Sequence, residues 1–398
     1  MSKEKIVVCG TGIVGFAAAI SLARSGFQVT LLGPRHAVPA YEPDTYCPRV
    51  YAVSAASQAF LADLGVWGML STQRVTPVHA MDIFGDASGR VRLHAWQAAT
   101  ENLAWILESS ELERVLQQAL PMMGVSWITE SFDQLKNGHV LTDTGRSLAA
   151  DLVVGADGAA SAVRKAAGIS HRSSAYGYTG VVTHLNAARP HQNVAYQWFT
   201  GESILALLPM PDTAQGAQVS MVWSMAAEQA QALMAKPHEQ RDTWLATQLN
   251  AITQGQLGAL SVRSSVHGFP LFLESSGMAL QGVALVGDAA HRVHPLAGQG
   301  LNLGLGDVQA LQQCLAAKEP FRNAGDERVM GRYRRARVEP VQAMGLATDG
   351  LHKLFAVQAP PVVWARNLGM QWVDRLPFAK RFLIRAAAGH GPADSHSN

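Results

Sequence analysis

The sequence predicts an α/β protein. A Rossmann-like dinucleotide-binding domain, a mixed or parallel sheet with helices, is interlocked with an antiparallel-sheet domain and followed by a C-terminal helical segment. Three observations predict it. An apolar strand runs into GTGIVG at Gly10 to Gly15 and then into a helix; two further apolar strands each deliver a glycine and a carboxylate, at Gly155 to Gly158 and at Gly287-Asp288; and the chain from 194 to 225 alternates apolar and polar residues. The implied division gives 1–74, 95–175 and 268–320 to the dinucleotide domain, 75–94 and 176–267 to the antiparallel sheet, and 321–398 to the basic helical tail.

The first unit has its parts in the required order. Ile6 to Cys9 is a continuous apolar run, Gly10 permits a tight turn, Gly12 lets backbone approach a pyrophosphate, and Gly15 with Ala19 lets the helix lie close to the strand. Gly26 ends that helix and Phe27 to Leu32 forms a second strand. Where that strand ends, a ribose-binding acid is expected, but the chain reads Gly33-Pro34-Arg35, which leaves the ribose to backbone and to Arg35. Arg49 sits between an X-Pro turn and the helix that starts after Ser54, where a guanidinium serves a phosphate or a ring edge as readily as a surface ion pair.

Val75 to His94 carries strand alternation and belongs to another layer, and Glu108 to Leu120 is a helix with Leu112, Leu116 and Leu120 on one face. Asn137-Gly138 marks a hairpin with a type I′ turn. In ADLVVGADGAASAVR, Asp157 and Gly158 follow a strand and precede a helix, so Asp157 suits a ligand or a helix cap. Tyr196, Trp198 and Trp223, with Pro209 between them, lie on the alternating strands and are candidates for the wall of a flat apolar pocket, core packing being the other role open to each. The last unit, VALVGDAAHRVHPLAGQGLNLGLG, is a strand, a turn with Asp288, and a glycine loop opening a helix near Gly300. Uncovered amides at Gly298 and Gly300 favour an anionic or polarised group, whereas Asp288 suits a hydroxyl.

Composition narrows the function. The net charge of +2 argues against nucleic acid, yet Phe321 to Asn398 holds 12 Lys/Arg against 6 Asp/Glu. In that tail Trp364, Leu368 and Trp372 recur every fourth residue, and Phe378 and Phe382 stand beside Lys380, Arg381 and Arg385. The pattern fits an interfacial helix on a membrane surface and equally fits docking onto the protein's own body or a partner. Cys9, Cys47 and Cys314 show no metal-ligand spacing, no metal site is expected, and neither a signal peptide nor a spanning run is present, which points to the cytoplasm, with a peripheral place on the inner face of the membrane as its extension.

With GTGIVG, ADG followed by Arg164, and GDAAHRVHPLAGQGLN in that order, the sequence resembles the flavin-dependent aromatic hydroxylases of the para-hydroxybenzoate hydroxylase-like class. Pro48 to Trp67, Leu207 to Asp212, His294 to Asp307 and the closing FLIRAAAG are similar to the ubiquinone-biosynthesis hydroxylases within it. The resemblance implies an FAD-dependent monooxygenase that uses NAD(P)H and O2 to hydroxylate an apolar, polyprenylated phenol. It also leaves open another aromatic or isoprenoid substrate, and a non-catalytic subunit of a quinone-biosynthesis complex. It implies that Gly10, Gly12, Ile13, Val14 and Gly15 hold the FAD pyrophosphate, that Gly287-Asp288 meets a flavin-side hydroxyl, and that Gly298, Gly300, Leu301 and Asn302 face the pyrimidine edge. Pro295 would border the ring, Asp157 and Gly158 would serve FAD and reduced nicotinamide, and Arg49 would lie near the flavin and its phosphates. No protein group is assigned as catalytic, since the cofactor carries the hard chemistry; His291 and His294 are read as orienting the loop.

Overall fold

Ile6, Val7, Val8 and Cys9 are all buried, so the strand they form, Lys5–Cys9, needs neighbours on both edges and cover on both faces. It pairs in parallel with Gln28–Leu32 and with Leu152–Gly155. Ser126–Ile128 and Val283–Leu285 extend the sheet on either side, and Ala279–Leu280 closes it as the one antiparallel edge of six strands. The computed structural model describes residues 3–37, 44–201, 203–293, 298–357 and 359–389. The helix Ile13–Arg24 carries Ala17, Ala18 and Ala19, all fully buried, and these small side chains let it sink between the sheet and the helices Ser109–Met122 and Gln299–Ala316. Asn137 and Gly138 take φ of 52° and 74° in the expected hairpin turn.

A nine-stranded sheet forms the second layer. From one edge it runs His291–Arg292, His267–Ser276, His171–Ala187, Gly216–Ala226, Ile204–Thr213, Val194–Phe199, Ala80–Phe84 and Arg90–His94, with Leu260–Val262 beside His171–Ala187. All pairings are antiparallel except Val194–Phe199 with Ala80–Phe84. Four sheet memberships differ from the expected division, one of them the edge strand His291–Arg292, which pairs with His267–Ser276. The sheet begins at His171 rather than near 176 and keeps His267–Ser276, because one strand pair, His171 with Ser276 through Val182 with His267, carries it past both limits, with a shift of register between Ala175 and Thr179. Val75–Val78 joins Val50–Ser54 and Ala104–Glu108 in a separate three-stranded sheet, since its partner is Ala104–Glu108.

The chain ends in three helices, Glu327–Ala356, Pro360–Arg375 and Pro377–Ala387. Proline at the first position of the last two removes a donor that would have had no partner there. Arg366 is buried and donates to the carbonyls of Leu354 at 2.7 Å and Val357 at 2.7 Å, closing the end of the preceding helix, while it also pairs with Asp86. Both docking and exposure therefore apply to this segment: Arg366 and Asn367 face the body, and Trp364 and Trp372 face outward.

Candidate cofactor site

The fingerprint turn separates its glycines by what surrounds them. At Gly10, φ is +119° and a Cβ would overlap the Ala156 carbonyl; at Gly15 a Cβ would overlap the Gly10 carbonyl. Gly12 is different. Nothing lies within 4 Å of a Cβ there, and no side chain caps the helix it opens, so the first turn of Ile13–Arg24 has no side-chain acceptor at its cap. Ile13 is buried beneath that turn, and Val14 packs against Gly287 and Gly304, joining the first motif to the last.

The missing acid has a steric reason. Gly33 takes φ of +148°, a Cβ would sit 2.9 Å from Thr11 Cγ2, and its carbonyl accepts from Trp127 Nε1 at 3.0 Å. The turn leaves no room for a carboxylate side chain. Arg35 instead lies over the Trp127 ring at 4.4 Å, exposed at the end of the same strand.

Asp157 is engaged as a cap. Its Oδ1 accepts from Ser161 Oγ at 2.5 Å and its Oδ2 from the Val163 amide at 3.1 Å, which leaves Gly158, with φ of +80° and open space around it, as the uncovered part of the motif. Arg164, buried, donates to Ala289 O at 2.8 Å and to Ala159 O at 2.7 Å and so ties the second motif to the third.

In the third motif one carboxylate organises the loop. Asp307 is fully buried; its Oδ2 accepts from the Gly287 amide at 2.9 Å and from His291 Nε2 at 2.7 Å, and its Oδ1 accepts from Arg337 Nε at 2.6 Å. Burial by itself would raise its pKa, but His291, Arg337 and the amide together hold it below the usual carboxylate range. Tyr333, also buried, donates its hydroxyl to Leu285 O at 2.7 Å. The turn between these anchors presents Asp288, exposed, as its one outward carboxylate.

Gly298, with φ of +65° and a Cβ position 3.3 Å from the Ala52 amide, opens the helix Gln299–Ala316, again without a side-chain cap, and Gly300 has nothing within 4 Å of its Cβ position. Leu301 is buried in the core. Asn302 accepts from the Ser54 amide at 3.0 Å and donates to Ala52 O at 2.9 Å, so its side chain pins the strand Val50–Ser54 and leaves only backbone for a ligand. That strand carries Tyr51, under the exposed guanidinium of Arg49 at 5.2 Å; burial, partly offset by Arg49 and reinforced by Asp288, pushes the phenol up to about 12. Arg49 and Asp288 thus act on the same phenol with opposite sign. Pro295 and His294 lie outside the described residues.

The aromatic wall is corrected. Tyr196, Trp198 and Trp223 are buried in a cluster with Leu245 and Leu249 of the helix His238–Thr253, and Pro209, in register with Val219 of that cluster, shares their face. Their sheet face is turned away from the nucleotide-binding unit, and Trp198 stacks on Phe84 and Trp223 on Trp244. Period-two alternation fixed which residues share a face but not which face meets the cofactor. The opposite face packs, through Ala195 and Met210, on Val50 and Ala52 of the strand that Asn302 pins. There His184, buried, donates from Nε2 to Cys47 O at 2.9 Å, and Ser220 stands opposite it in register. His184 Nδ1 and Ser220 Oγ have no hydrogen-bond partner among the described residues. Burial lowers the His184 pKa. Asp307, Arg337 and His184 were not singled out from sequence, although an acid inside the apolar helix LNLGLGDVQAL is a usable signal.

No group of three or more metal-ligating side chains occurs among the described residues. Gly12, Gly158 and Gly300 form open backbone cradles that fit an extended dinucleotide. The FAD binding domain family matches residues 3–345. The chain is 31% identical to 3-demethoxyubiquinol 3-hydroxylase of Escherichia coli (strain K12), over 97% of this chain and 98% of that protein. It is 29% identical to ubiquinone hydroxylase UbiL of Rhodospirillum rubrum, over 96% and 89%. Among solved structures, p-nitrophenol 4-monooxygenase PnpA from Pseudomonas putida aligns with a TM-score of 0.74 at 17% identity, over 98% of this chain and 99% of the other. PqsL, a probable FAD-dependent monooxygenase from Pseudomonas aeruginosa, aligns at 0.71 and 20%, over 92% and 100%. The chain belongs to the FAD-binding-domain family of NAD(P)H- and O2-dependent flavoprotein monooxygenases.

Proposed function

We propose that this monooxygenase hydroxylates the ring of a polyprenylated phenol in ubiquinone biosynthesis. The observation that carries the reading is a pair of uncapped, uncovered helix N-termini, at Gly12 and Gly300, joined through Val14, Arg164 and Asp307. They occur in a chain that is similar along nearly its whole length to ubiquinone hydroxylases. Bound FAD supplies the redox chemistry with NAD(P)H and O2. The chain's own residues bind and orient. Amides following Gly12 hold the pyrophosphate, Asp288 accepts from a flavin-side hydroxyl, the backbone of Gly298 to Asn302 meets the pyrimidine edge, and Arg49 offsets negative charge at that rim.

The substrate ring would lie against the inner sheet face, where His184 Nδ1 and Ser220 Oγ offer hydrogen bonds to a phenolic head in otherwise apolar surroundings. Excluding water there protects the oxygen-transfer step. The basic, amphipathic C-terminal segment would bring the enzyme to the membrane surface, on its inner face, or to a quinone-biosynthesis complex where such a substrate is found. The test is NAD(P)H oxidation by FAD-loaded protein with a short-chain prenylphenol, with the aromatic product identified and hydrogen peroxide trapped. Hydroxylated product formed in step with NAD(P)H supports the reading, and tightly bound flavin without any stimulation overturns it.

A further inference from the structure

One side of the last two helices is held to the body, by Met370, Val373 and Ile384 packed on Val91 and Leu93 and by polar contacts. Arg366 and Asn367 are buried against Asp86 and Gly89, and Asp374 accepts the Arg92 amide at 2.9 Å while pairing with Lys380 at 2.6 Å. The other side is apolar and bare. Trp364, Trp372, Phe378 and Phe382 are 69, 61, 70 and 68% exposed, with Leu368 and Leu383 beside them. Trp96, 72% exposed, stands on the short turn against which Pro377–Ala387 packs, where Arg381 Nε donates to Gln97 O at 3.1 Å. So much aromatic surface on one side of a water-facing protein marks a binding face.

The charges next to it favour one occupant. A cleft of about 430 Å³ is lined by Arg90, Arg92, Trp96, Asp374 and Lys380. Arg90 and Arg92 share the single carboxylate of Asp82 and Lys380 is matched by Asp374, so the cleft holds a cation in excess, with Arg375, Arg381 and Arg385 exposed nearby. A second copy meeting this face about a twofold axis would bring the same cations together, whereas an anionic surface would be attracted. No described helix is long and apolar enough to cross a membrane. We propose that this face docks on an anionic phospholipid bilayer, its aromatic rings at the boundary of headgroups and acyl chains and one lipid phosphate in the Arg90–Arg92–Lys380 cleft. The proposal deepens the membrane side of the function proposed above and rests on it.

Flotation of the FAD-loaded full chain with vesicles tests it, using phosphatidylcholine alone or mixed with phosphatidylglycerol. Binding to the mixed vesicles is expected to be about tenfold stronger or more at low salt, and to weaken as salt rises. The combined variant Trp364→Ser, Trp372→Ser, Phe378→Ser, Phe382→Ser should lose flotation while keeping its FAD content and melting temperature. Arg92→Gln should weaken binding to the mixed vesicles about fivefold and leave the neutral ones unchanged. Wild-type protein that floats with neither vesicle, binds both equally, or forms a dimer that the combined variant dissolves overturns the proposal. Turnover of a water-soluble phenol is measured in parallel: its failure with flotation intact counts against the hydroxylase reading and not against the lipid site.

Discussion

At the residue scale, the glycines of one motif do opposite jobs, and substitution separates them. Gly15→Ala must push the Gly10 backbone aside and should destabilise the apoprotein by about 1–3 kcal/mol in denaturant unfolding. Gly12→Ala has room, so its apoprotein should stay within about 1 kcal/mol of wild type, while FAD affinity, read by fluorescence titration, falls about tenfold or more. The same steric logic makes a counterintuitive expectation at Gly33. Restoring the usual acid with Gly33→Glu should weaken folding and leave FAD binding unimproved, because the side chain would meet Thr11 from a left-handed backbone. His184 gives the pH dependence. Its folded pKa lies below the unfolded value, so its contribution to stability is complete above the ordinary histidine range and is lost as pH falls through the folded value. Unfolding of His184→Asn measured across mildly acidic pH should therefore show a shallower loss of stability than wild type.

At the element scale, strands and helices were legible in sequence because apolar runs and glycine turns report local geometry. The strand Lys5–Cys9, the helix after Gly12 and the helix after Gly298 all stand where GTGIVG and AGQGLN put them. What sequence could not convey was orientation and long-range pairing. Tyr196, Trp198 and Trp223 share a face as their spacing requires, but only the helix His238–Thr253 packed over them shows which layer they serve. Asn302 and Ser54 are 248 positions apart, and no local pattern announces their contact. That contact joins two elements of the site. Asn302→Ala should cost about 1–3 kcal/mol of stability in denaturant unfolding and loosen the strand bearing Arg49 and Tyr51, seen as faster amide exchange from Val50 to Ser54.

At the scale of the whole molecule, the alternation of layers was readable, and the limits between them were less so, because the strand His171–Ala187 belongs to one sheet along its full length. The C-terminal helices extend this integration. Arg366 joins the end of one helix, the start of the next and the hairpin carrying Asp86, so Arg366→Met should open the last two helices to limited proteolysis while the nucleotide-binding unit unfolds as before.

Asp307 reaches across that same scale. The helix that begins at Glu327 sends Arg337 into the interior to meet it, and the carboxylate passes the constraint on to the Gly287 amide and His291. The helix Glu327–Ala356 is thereby tied to the turn that presents Asp288. One buried carboxylate is thus a shared hinge post for two stretches of chain, the long helix on one side and the glycine turn on the other.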